Sequence, residues 1–371
     1  WGQERELEWL TNMHDWMISK KRFWGLALPI WVCDNPNCGH WDVIGGREEL
    51  KARAVEGWAE FEGHSPHRPW IDGVKIKCEK CGSTATRVKD VGNPWLDAGI
   101  VPYSTVKYNS DREYWKKWMP ADLVLECFPG QFRNWFYSLL ATSTMMENIA
   151  PFKTLLGHAL VRDEKGNEMH KSTGNAIWFE DAAEKMGADV MRWIYCGQDT
   201  TVNLNFGYNV AREVRGKFFN TLWNTYAFYI NYARIINFVP PAEPTPIEKR
   251  PDFDRWILSN LQLFVKKVRT AFEDFNIRAA VRAAEDFMED LSNWYIRQSR
   301  RRFWRGDDDA DSQLAYETLY ECLYTTIRLL APMIPFVTEE IYQNLVRSFN
   351  PQAPESIHHT DFPEVKENWI D

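Results

Sequence analysis

The hydrophobic period of this 371-residue chain changes once along its length, and that change divides the fold. Residues 91–205 alternate short strand-like runs, such as 123–125 and 154–156, with helical segments, which predicts β/α units around a parallel sheet. After about residue 206 the strand signals disappear and long patterns of period 3.6 begin. A proline-rich loop or linker near 239–252 interrupts them. The sequence therefore predicts an α/β part followed by an all-α helical bundle.

Composition limits the class of protein without naming it. The chain is 44% hydrophobic and 26% charged, which is ordinary for a soluble globular protein of two or three domains. A net charge of −8 argues against general coating of nucleic acid, although it is compatible with a local basic face. No stretch approaches the roughly 18 apolar residues of a membrane span, and no signal-like segment opens the chain. We therefore expect a cytoplasmic protein with no membrane partner.

Four of the seven cysteines form two close pairs: Cys33 with Cys38, and Cys78 with Cys81. Each spacing places two thiols within reach of one ion, and two such pairs can complete a tetrahedral zinc site. His40 could replace one thiolate. Two disulfides or four free thiols are the alternatives, and disulfides are disfavoured in a chain without secretion signals. We predict a structural zinc-binding insert over residues 30–90, with no open catalytic position.

A polar turn at residues 164–175 is the strongest candidate for chemistry. It presents Lys171 and Ser172 ahead of a Gly174-Asn175 pair and an amphipathic segment. A lysine on a loop beside a helix N-terminus suits a polyphosphate, because amide N–H groups and the helix dipole favour anions and the ammonium adds a point charge. Taken alone, such a turn is more often an ordinary surface loop, so the neighbouring motifs decide its meaning.

Several segments, in order along the chain, resemble class I aminoacyl-tRNA synthetases of the isoleucyl and valyl group. Residues 168–172 (EMHKS) are similar to their KMSKS loop, with glutamate and histidine at two positions. Residues 15–25 look like the segment after the editing insertion, and a cysteine-bearing insert follows, as in that family. The resemblance implies a partial Rossmann-like catalytic domain with a zinc insert and a helical anticodon-binding domain. The implied parts are a catalytic segment at 1–29, the insert at 30–90, the second catalytic half at 91–205 and the anticodon-binding bundle at 206–371.

The resemblance also implies which residues bind the substrates. Trp95 and Asp97 fall in the family's turn that lines the amino-acid pocket. Glu126 would pair with the substrate ammonium, and Gln131 would hydrogen-bond near the adenylate, although the commoner aspartate before that glutamine is a glycine here. His158 falls where the family has a histidine near the nucleotide. A helix-entry carboxylate and a structural histidine are the alternatives for Glu126 and His158. In the loop, Lys171 and Ser172 would be the catalytic residues.

The stretch 291–304 resembles the isoleucyl enzymes more than the valyl ones. It interleaves arginines with aromatic residues, a pattern suited to neutralising an RNA backbone and stacking on bases. A solvated arginine face is the alternative. The candidate tRNA-binding residues are Arg297, Arg300, Arg301, Arg302 and, next to them, Arg305.

Together these segments imply isoleucine–tRNA ligase activity, in which ATP with Mg²⁺ activates isoleucine and the product is transferred to tRNA(Ile). A valine enzyme, a non-catalytic tRNA-binding module derived from a synthetase, and a purely structural zinc protein are the alternatives. The family's HIGH motif and editing domain do not occur in these residues, and the chain opens at Trp1 directly in a helical pattern. We therefore expect a piece of a longer enzyme, inactive without the half that carries HIGH.

Overall fold

The computed structural model describes residues 2–305 and 309–371, and the chain forms two compact units. The first unit ends at His158 and the second is Ala159–Asp371. Within the described residues, no helix is long and apolar enough to cross a membrane.

Over residues 2–158, the first unit combines short helices with nine strands. Its helices are α1 (Gly2–Asn12), α2 (Arg47–Arg53), α3 (Trp58–Phe61), α4 (Pro94–Ser104), α5 (Arg112–Trp118), α6 (Phe128–Gln131) and α7 (Trp135–Glu147), with a 3₁₀ turn at Trp70–Gly73. Its strands are β1 (Ser19–Lys20), β2 (Ile30–Cys33), β3 (Trp41–Val43), β4 (Ala54–Glu56), β5 (Lys75–Lys77), β6 (Thr84–Arg87), β7 (Val91–Gly92), β8 (Ala121–Cys127) and β9 (Phe152–His158).

Five of these strands form an antiparallel sheet in the order β3-β2-β6-β5-β4. Its inner face buries Trp31, whose indole N–H donates to the carbonyl of Val74 at 2.8 Å. Because side chains alternate along a strand, Trp31 and Cys33 point inward from β2 while Val32 is exposed. This alternation places Cys33, the first of the paired cysteines, on the buried face of the sheet.

β8 and β9 pair in parallel and are connected through α6 and α7, so they form a β–α–β crossover. The predicted β/α alternation is confirmed for this segment. Val124 is buried beneath the helices, while Leu123 and Leu125 on the opposite face are exposed. α4 packs on α7 at very short range, since a Cβ on Gly99 would lie 2.8 Å from the carbonyl oxygen of Ser138.

The second unit is mostly helical, as the 3.6-residue period predicts. It contains α8 (Phe179–Met186), α9 (Ala188–Gly197), α10 (Tyr208–Val214), α11 (Asn220–Ile235), α12 (Asp252–Glu273), α13 (Ile277–Glu289), α14 (Arg297–Phe303), α15 (Ala310–Leu330) and α16 (Pro335–Tyr342). π-Helical turns lie at Arg215–Phe219, Asp290–Ile296 and Gln343–Arg347, and 3₁₀ turns at Lys171–Thr173, Ile247–Lys249, Ile357–His359 and Glu367–Trp369. Its two strands, β10 (Val161–Arg162) and β11 (Leu204–Asn205), pair in parallel.

The chain between α11 and α12, where the sequence predicts a loop or linker, is anchored to the bundle. The guanidinium of Arg250 is fully buried, and its Nη2 lies 2.8 Å from Glu317 Oε1. The same group also binds Glu321, and its Nη1 donates to the hydroxyl of Thr318 at 2.7 Å. A charge buried this deeply is stable only when it is paired, so this loop is fixed to α15.

Helix α9 is joined to the bundle by hydrogen bonds. Asp189 accepts the backbone N–H of Val337 at 2.6 Å and so caps the start of α16. Arg192 Nε donates to the carbonyl of Met333 at 2.9 Å. The segment after β10 and the helical bundle therefore belong to one compact unit.

Candidate functional site

The four paired cysteines converge on one point. Their Sγ atoms all lie within 4.8 Å of one another, with 3.4 Å between Cys33 and Cys81 and 3.9 Å between Cys38 and Cys78. Four thiolates around zinc at about 2.3 Å would be separated by about 3.8 Å, which is close to these distances. All four cysteines are free thiols in this structure. The donor set fits a tetrahedral metal ion.

Protonation of the cluster is uneven. Burial raises the pKa of the Cys33 thiol to about 12 and also raises the pKa of Cys38. Hydrogen bonds from Ser83 lower the pKa of Cys81 to about 6. Bringing all four groups to the thiolate form therefore requires a cation to offset the charge. His40 Nε2 lies 3.1 Å from Asp42 Oδ1 instead, so the structure favours the four-cysteine set over one that includes His40.

The candidate substrate residues of the first unit gather at the carboxyl ends of β8 and β9. Cys127 pairs with His158 and Glu126 with Gly157, so Glu126 and His158 lie at the same end of the two strands, one residue apart in register and on alternate faces of the sheet. In parallel sheets this is the edge where ligands bind. A Cβ on Gly157 would lie 1.9 Å from the ring of Phe128, so only glycine allows that ring to cover the strand end.

The other three residues of this group lie at the starts of helices. Gln131 Oε1 accepts the backbone N–H of Trp135 at 3.1 Å and so caps α7. Asn93 caps α4 by accepting the N–H of Trp95 at 3.0 Å. Trp95 is half-buried and Asp97 is exposed in the first turn of that helix. The structure thus brings Glu126, Gln131 and His158 to one strand edge and places Trp95 and Asp97 at the start of α4.

Residues 164–175, which we name the lysine loop, expose Lys171 and Ser172 on a single 3₁₀ turn. Gly174 ends the turn at φ +73°, a left-handed conformation that favours glycine. The Lys171 ammonium lies 4.5 Å from the ring centre of Trp178, the residue just before α8. Lys171 therefore lies close to the start of a helix, as predicted, and its ammonium contacts the indole of the residue that precedes the helix.

Glu168, which stands where the resembling family has a lysine, is partly neutralised within the loop. Its carboxylate lies 3.6 Å from Arg162 Nη2 and 3.4 Å from His170 Nε2. Both contacts are at the surface, so each stabilises the loop only weakly. The negative charge of Glu168 still lies in the lysine loop, three residues before Lys171.

The arginines of α14 separate into two groups. Arg297, Arg300 and Arg301 are exposed and make no ion pair among the residues that the structure describes. Arg302 differs from these three predicted residues: its Nη1 and Nη2 lie 2.5 and 2.9 Å from the two oxygens of Asp254, which is fully buried. The bidentate pair makes Arg302 a structural residue, because removing it would leave a buried carboxylate unpaired.

Two tryptophans of this stretch belong to the aromatic residues for which the sequence predicts base stacking, although they were not named among the candidate residues. Trp294 and Trp304 are 57% and 59% exposed. With Arg297 and Arg301 they fall at positions i, i+3, i+7 and i+10, which share one side of a helix. Arg305 lies beyond them and pairs with Asp309 at 3.1 Å. The helical spacing was the signal in the sequence that marks this exposed stripe.

Comparison with known proteins defines the class. Residues 1–207 match the family model "tRNA synthetases class I (I, L, M and V)", and residues 254–371 match "Anticodon-binding domain of tRNA ligase". The chain belongs to the class I tRNA synthetase family. Among solved structures it is similar to LeuRS of Agrobacterium radiobacter K84 in a ternary complex with tRNA and LeuAMS, with a TM-score of 0.70 and 19% identity over 97% of this chain and 43% of that one. This likeness shows that the fold is shared.

The curated relatives carry a more particular name. Isoleucine–tRNA ligase of Thermus thermophilus is 42% identical over 96% of this chain and 34% of the relative. Isoleucine–tRNA ligase of Methanothrix thermoacetophila is 38% identical over 100% of this chain and 34% of the relative. The chain spans about a third of the length of the curated relatives it matches. The resemblance to the isoleucyl group is confirmed at the level of sequence.

Proposed function

We propose that this chain carries the KMSKS side of the activation site and the tRNA-binding bundle of an isoleucine–tRNA ligase. The observation that carries the proposal is the match to isoleucine–tRNA ligases across 96–100% of the chain, together with a lysine loop at the expected position. Valine remains the alternative substrate, but the relatives' names favour isoleucine.

In the proposed activation step, the isoleucine carboxylate attacks the α-phosphorus of ATP and the bond to pyrophosphate breaks. Negative charge then develops on the α-phosphate and on the leaving pyrophosphate. Lys171 is the cation that would stabilise this charge, and Ser172 would donate a hydrogen bond from the same turn. Mg²⁺ would enter with ATP as part of the substrate. Both side chains are exposed, so they are free to reach a bound polyphosphate.

The strand edge of the first unit supplies the proposed amino-acid and nucleotide contacts. Glu126 would hold the substrate ammonium, and Gln131 and His158 would contact the adenylate. Trp95 and Asp97 would line the side-chain pocket. An indole wall discriminates mainly by shape, which is worth about 1–3 kcal/mol per methylene.

For the RNA partner, we propose the exposed arginines and tryptophans of residues 294–304 as the contact for tRNA(Ile). Arg297, Arg300 and Arg301 would neutralise phosphates, and Trp294 and Trp304 would stack on unpaired bases. The exposure of all five side chains supports this assignment. Arg302 is left out because it is bound to Asp254.

The cysteine cluster is proposed as a structural zinc centre. Cys33, Cys38, Cys78 and Cys81 would hold the ion, which when bound would cross-link β2 to the turn after β5. Four protein ligands leave no position for substrate. The role is therefore to stabilise the insert.

Amino-acid-dependent ATP–pyrophosphate exchange by the whole protein that contains this chain tests the proposal. We expect exchange with isoleucine and much weaker exchange with valine. Exchange with valine alone would reverse the substrate assignment. Binding of tRNA with no exchange for any amino acid would favour the non-catalytic tRNA-binding alternative.

The 371-residue chain by itself is expected not to catalyse exchange. Among the described residues the parallel sheet of β8 and β9 has only two strands, and Leu123 and Leu125 are exposed on one face. Parallel sheets are normally covered on both faces. We therefore expect further structure to cover the exposed face of this sheet and to complete the site near Glu126 and His158. Exchange by the isolated chain at the rate of a complete synthetase would contradict this expectation.

A further inference from the structure

The side chain of Asn175 is the most highly connected group in the lysine loop. Its Oδ1 accepts the backbone N–H of His170 at 3.0 Å and the hydroxyl of Thr173 at 2.7 Å. Its Nδ2 donates to the carbonyl of Glu168 at 2.9 Å and to Asp163 Oδ2 at 3.0 Å. One amide therefore uses its donor and acceptor capacity together to clamp both sides of the turn that carries Lys171.

Asp163 is the fixed point of this clamp. It precedes the loop, and its Oδ1 accepts the backbone N–H groups of Lys165 at 3.0 Å and Asn167 at 2.8 Å. Hydrogen bonds from Asn175 and from these neighbours lower the pKa of Asp163, so it remains an ionised acceptor. Charge-assisted bonds of this kind are stronger than those between neutral groups.

The other contacts of the turn are at the surface: the Lys171 ammonium lies over Trp178, Glu168 pairs with Arg162 and His170, and the Thr173 hydroxyl donates to the His170 carbonyl at 3.0 Å. Its own backbone bonds, from Thr173 N–H to the His170 carbonyl and from Gly174 N–H to the Lys171 carbonyl, are both 3.3 Å long. Lys171 and Ser172 are exposed and add no buried apolar contact. A turn with few buried contacts opens easily, so its shape depends on side-chain hydrogen bonds.

We propose that Asn175 and Asp163 are positioning residues that hold the lysine loop in the shape that presents Lys171 to the polyphosphate. The inference rests on the proposed function for its catalytic consequence, but the clamp itself is independent of it. A lysine that stabilises a transition state must be placed before the reaction begins, and a loosened loop loses that advantage. Neither residue touches substrate in this scheme; both act through the loop.

The first test measures amide hydrogen exchange over residues 168–174 in the 371-residue chain. Asn175→Ala and Asn175→Asp are expected to accelerate exchange by about tenfold or more, the aspartate because it sets a second carboxylate against Asp163. The double variant Asp163→Asn with Asn175→Asp reverses the donor and the acceptor between these two positions and should recover part of the protection, because residue 175 can no longer donate to the Glu168 carbonyl. Asn350→Ala, in an exposed turn of the bundle, is the matched control and should leave the loop unchanged. Unchanged protection in Asn175→Ala would overturn the proposal.

The second test measures ATP–pyrophosphate exchange by the whole protein with the same variants. For Asn175→Ala we expect kcat/KM for ATP to fall by about 10- to 100-fold, while KM for isoleucine stays the same, because only the phosphate side is displaced. A loop that exchanges faster but leaves kcat/KM unaltered would overturn the positioning role. If the unmodified protein shows no amino-acid-dependent exchange, the proposed function fails, and the hydrogen-exchange measurement still decides the clamp.

Discussion

The cysteine cluster and the lysine loop are both small sites built from turns, but they are held in opposite ways. The cluster joins residues 45 positions apart in the chain, Cys33 and Cys78, and both are buried. The lysine loop is closed by hydrogen bonds between residues within twelve positions of each other, and its key side chains are exposed. A structural site gains from burial and from long-range cross-links. A loop that binds and releases a substrate has to open at a low cost in free energy, which local hydrogen bonds at the surface allow.

The largest expected effect is at the buried site. Cys78→Ser should abolish metal binding and unfold the insert, because structural zinc contributes about 10–16 kcal/mol of folding free energy in small zinc modules. Zinc content per chain and thermal unfolding measure this. Cys196→Ser removes a half-buried thiol outside the cluster and should retain the metal. Absence of zinc from the unmodified chain would contradict the proposed zinc centre.

The same contrast recurs between neighbours on α14. Arg302→Ala leaves Asp254 buried and unpaired and should lower the free energy of unfolding by about 3–5 kcal/mol. Arg301→Ala removes an exposed group and should change stability by less than about 0.5 kcal/mol while weakening tRNA binding. Denaturant unfolding and a salt-dependent tRNA titration separate the two. Equal stability of both variants would contradict the burial argument.

At the exposed site, Lys171→Ala should lower kcat/KM for activation by about 10²- to 10³-fold in the whole protein, the cost of losing one preorganised donor. Unfolding temperature and zinc content should stay unchanged, because the side chain is exposed. Lys165→Ala, on the same loop, is the control. Full activity of Lys171→Ala would show that this loop is not the KMSKS element.

The smallest effect is expected for Glu168→Lys. The substitution removes a negative charge from the loop but also removes the contacts with Arg162 and His170. Surface ion pairs are weak, so the loss and the gain should nearly cancel, and KM for ATP should stay the same or fall by about twofold. Steady-state kinetics with varied ATP measure this. A large rise in KM would mean that the ion pairs, and not only Asn175, shape the loop.

Local pattern predicted much of this molecule, and tertiary packing explains where it failed. The helices after residue 206 follow from their period, and the cysteine cluster follows from two pairs of fixed spacing. The pairing of Arg302 was not predicted, because its partner, Asp254, lies 48 residues earlier and is buried only when α12 and α14 meet. Helical spacing places Arg302 seven residues after the buried Tyr295, and so on the packed side of the helix, but it does not identify Asp254 as the partner. The stripe formed by Trp294 and Trp304, by contrast, was visible from spacing alone.

The contact between Lys171 and Trp178 gives this protein a natural optical reporter. An exposed indole changes its emission when a nearby ammonium moves away, and Trp178 is 53% exposed with that ammonium 4.5 Å from its ring centre. When Lys171 turns toward a polyphosphate, the indole loses its cation, and the spectrum should respond on the timescale of the loop. The difference between the parent protein and Trp178→Phe would isolate that signal from the other tryptophans. The loop would thus report its own occupancy without any added label.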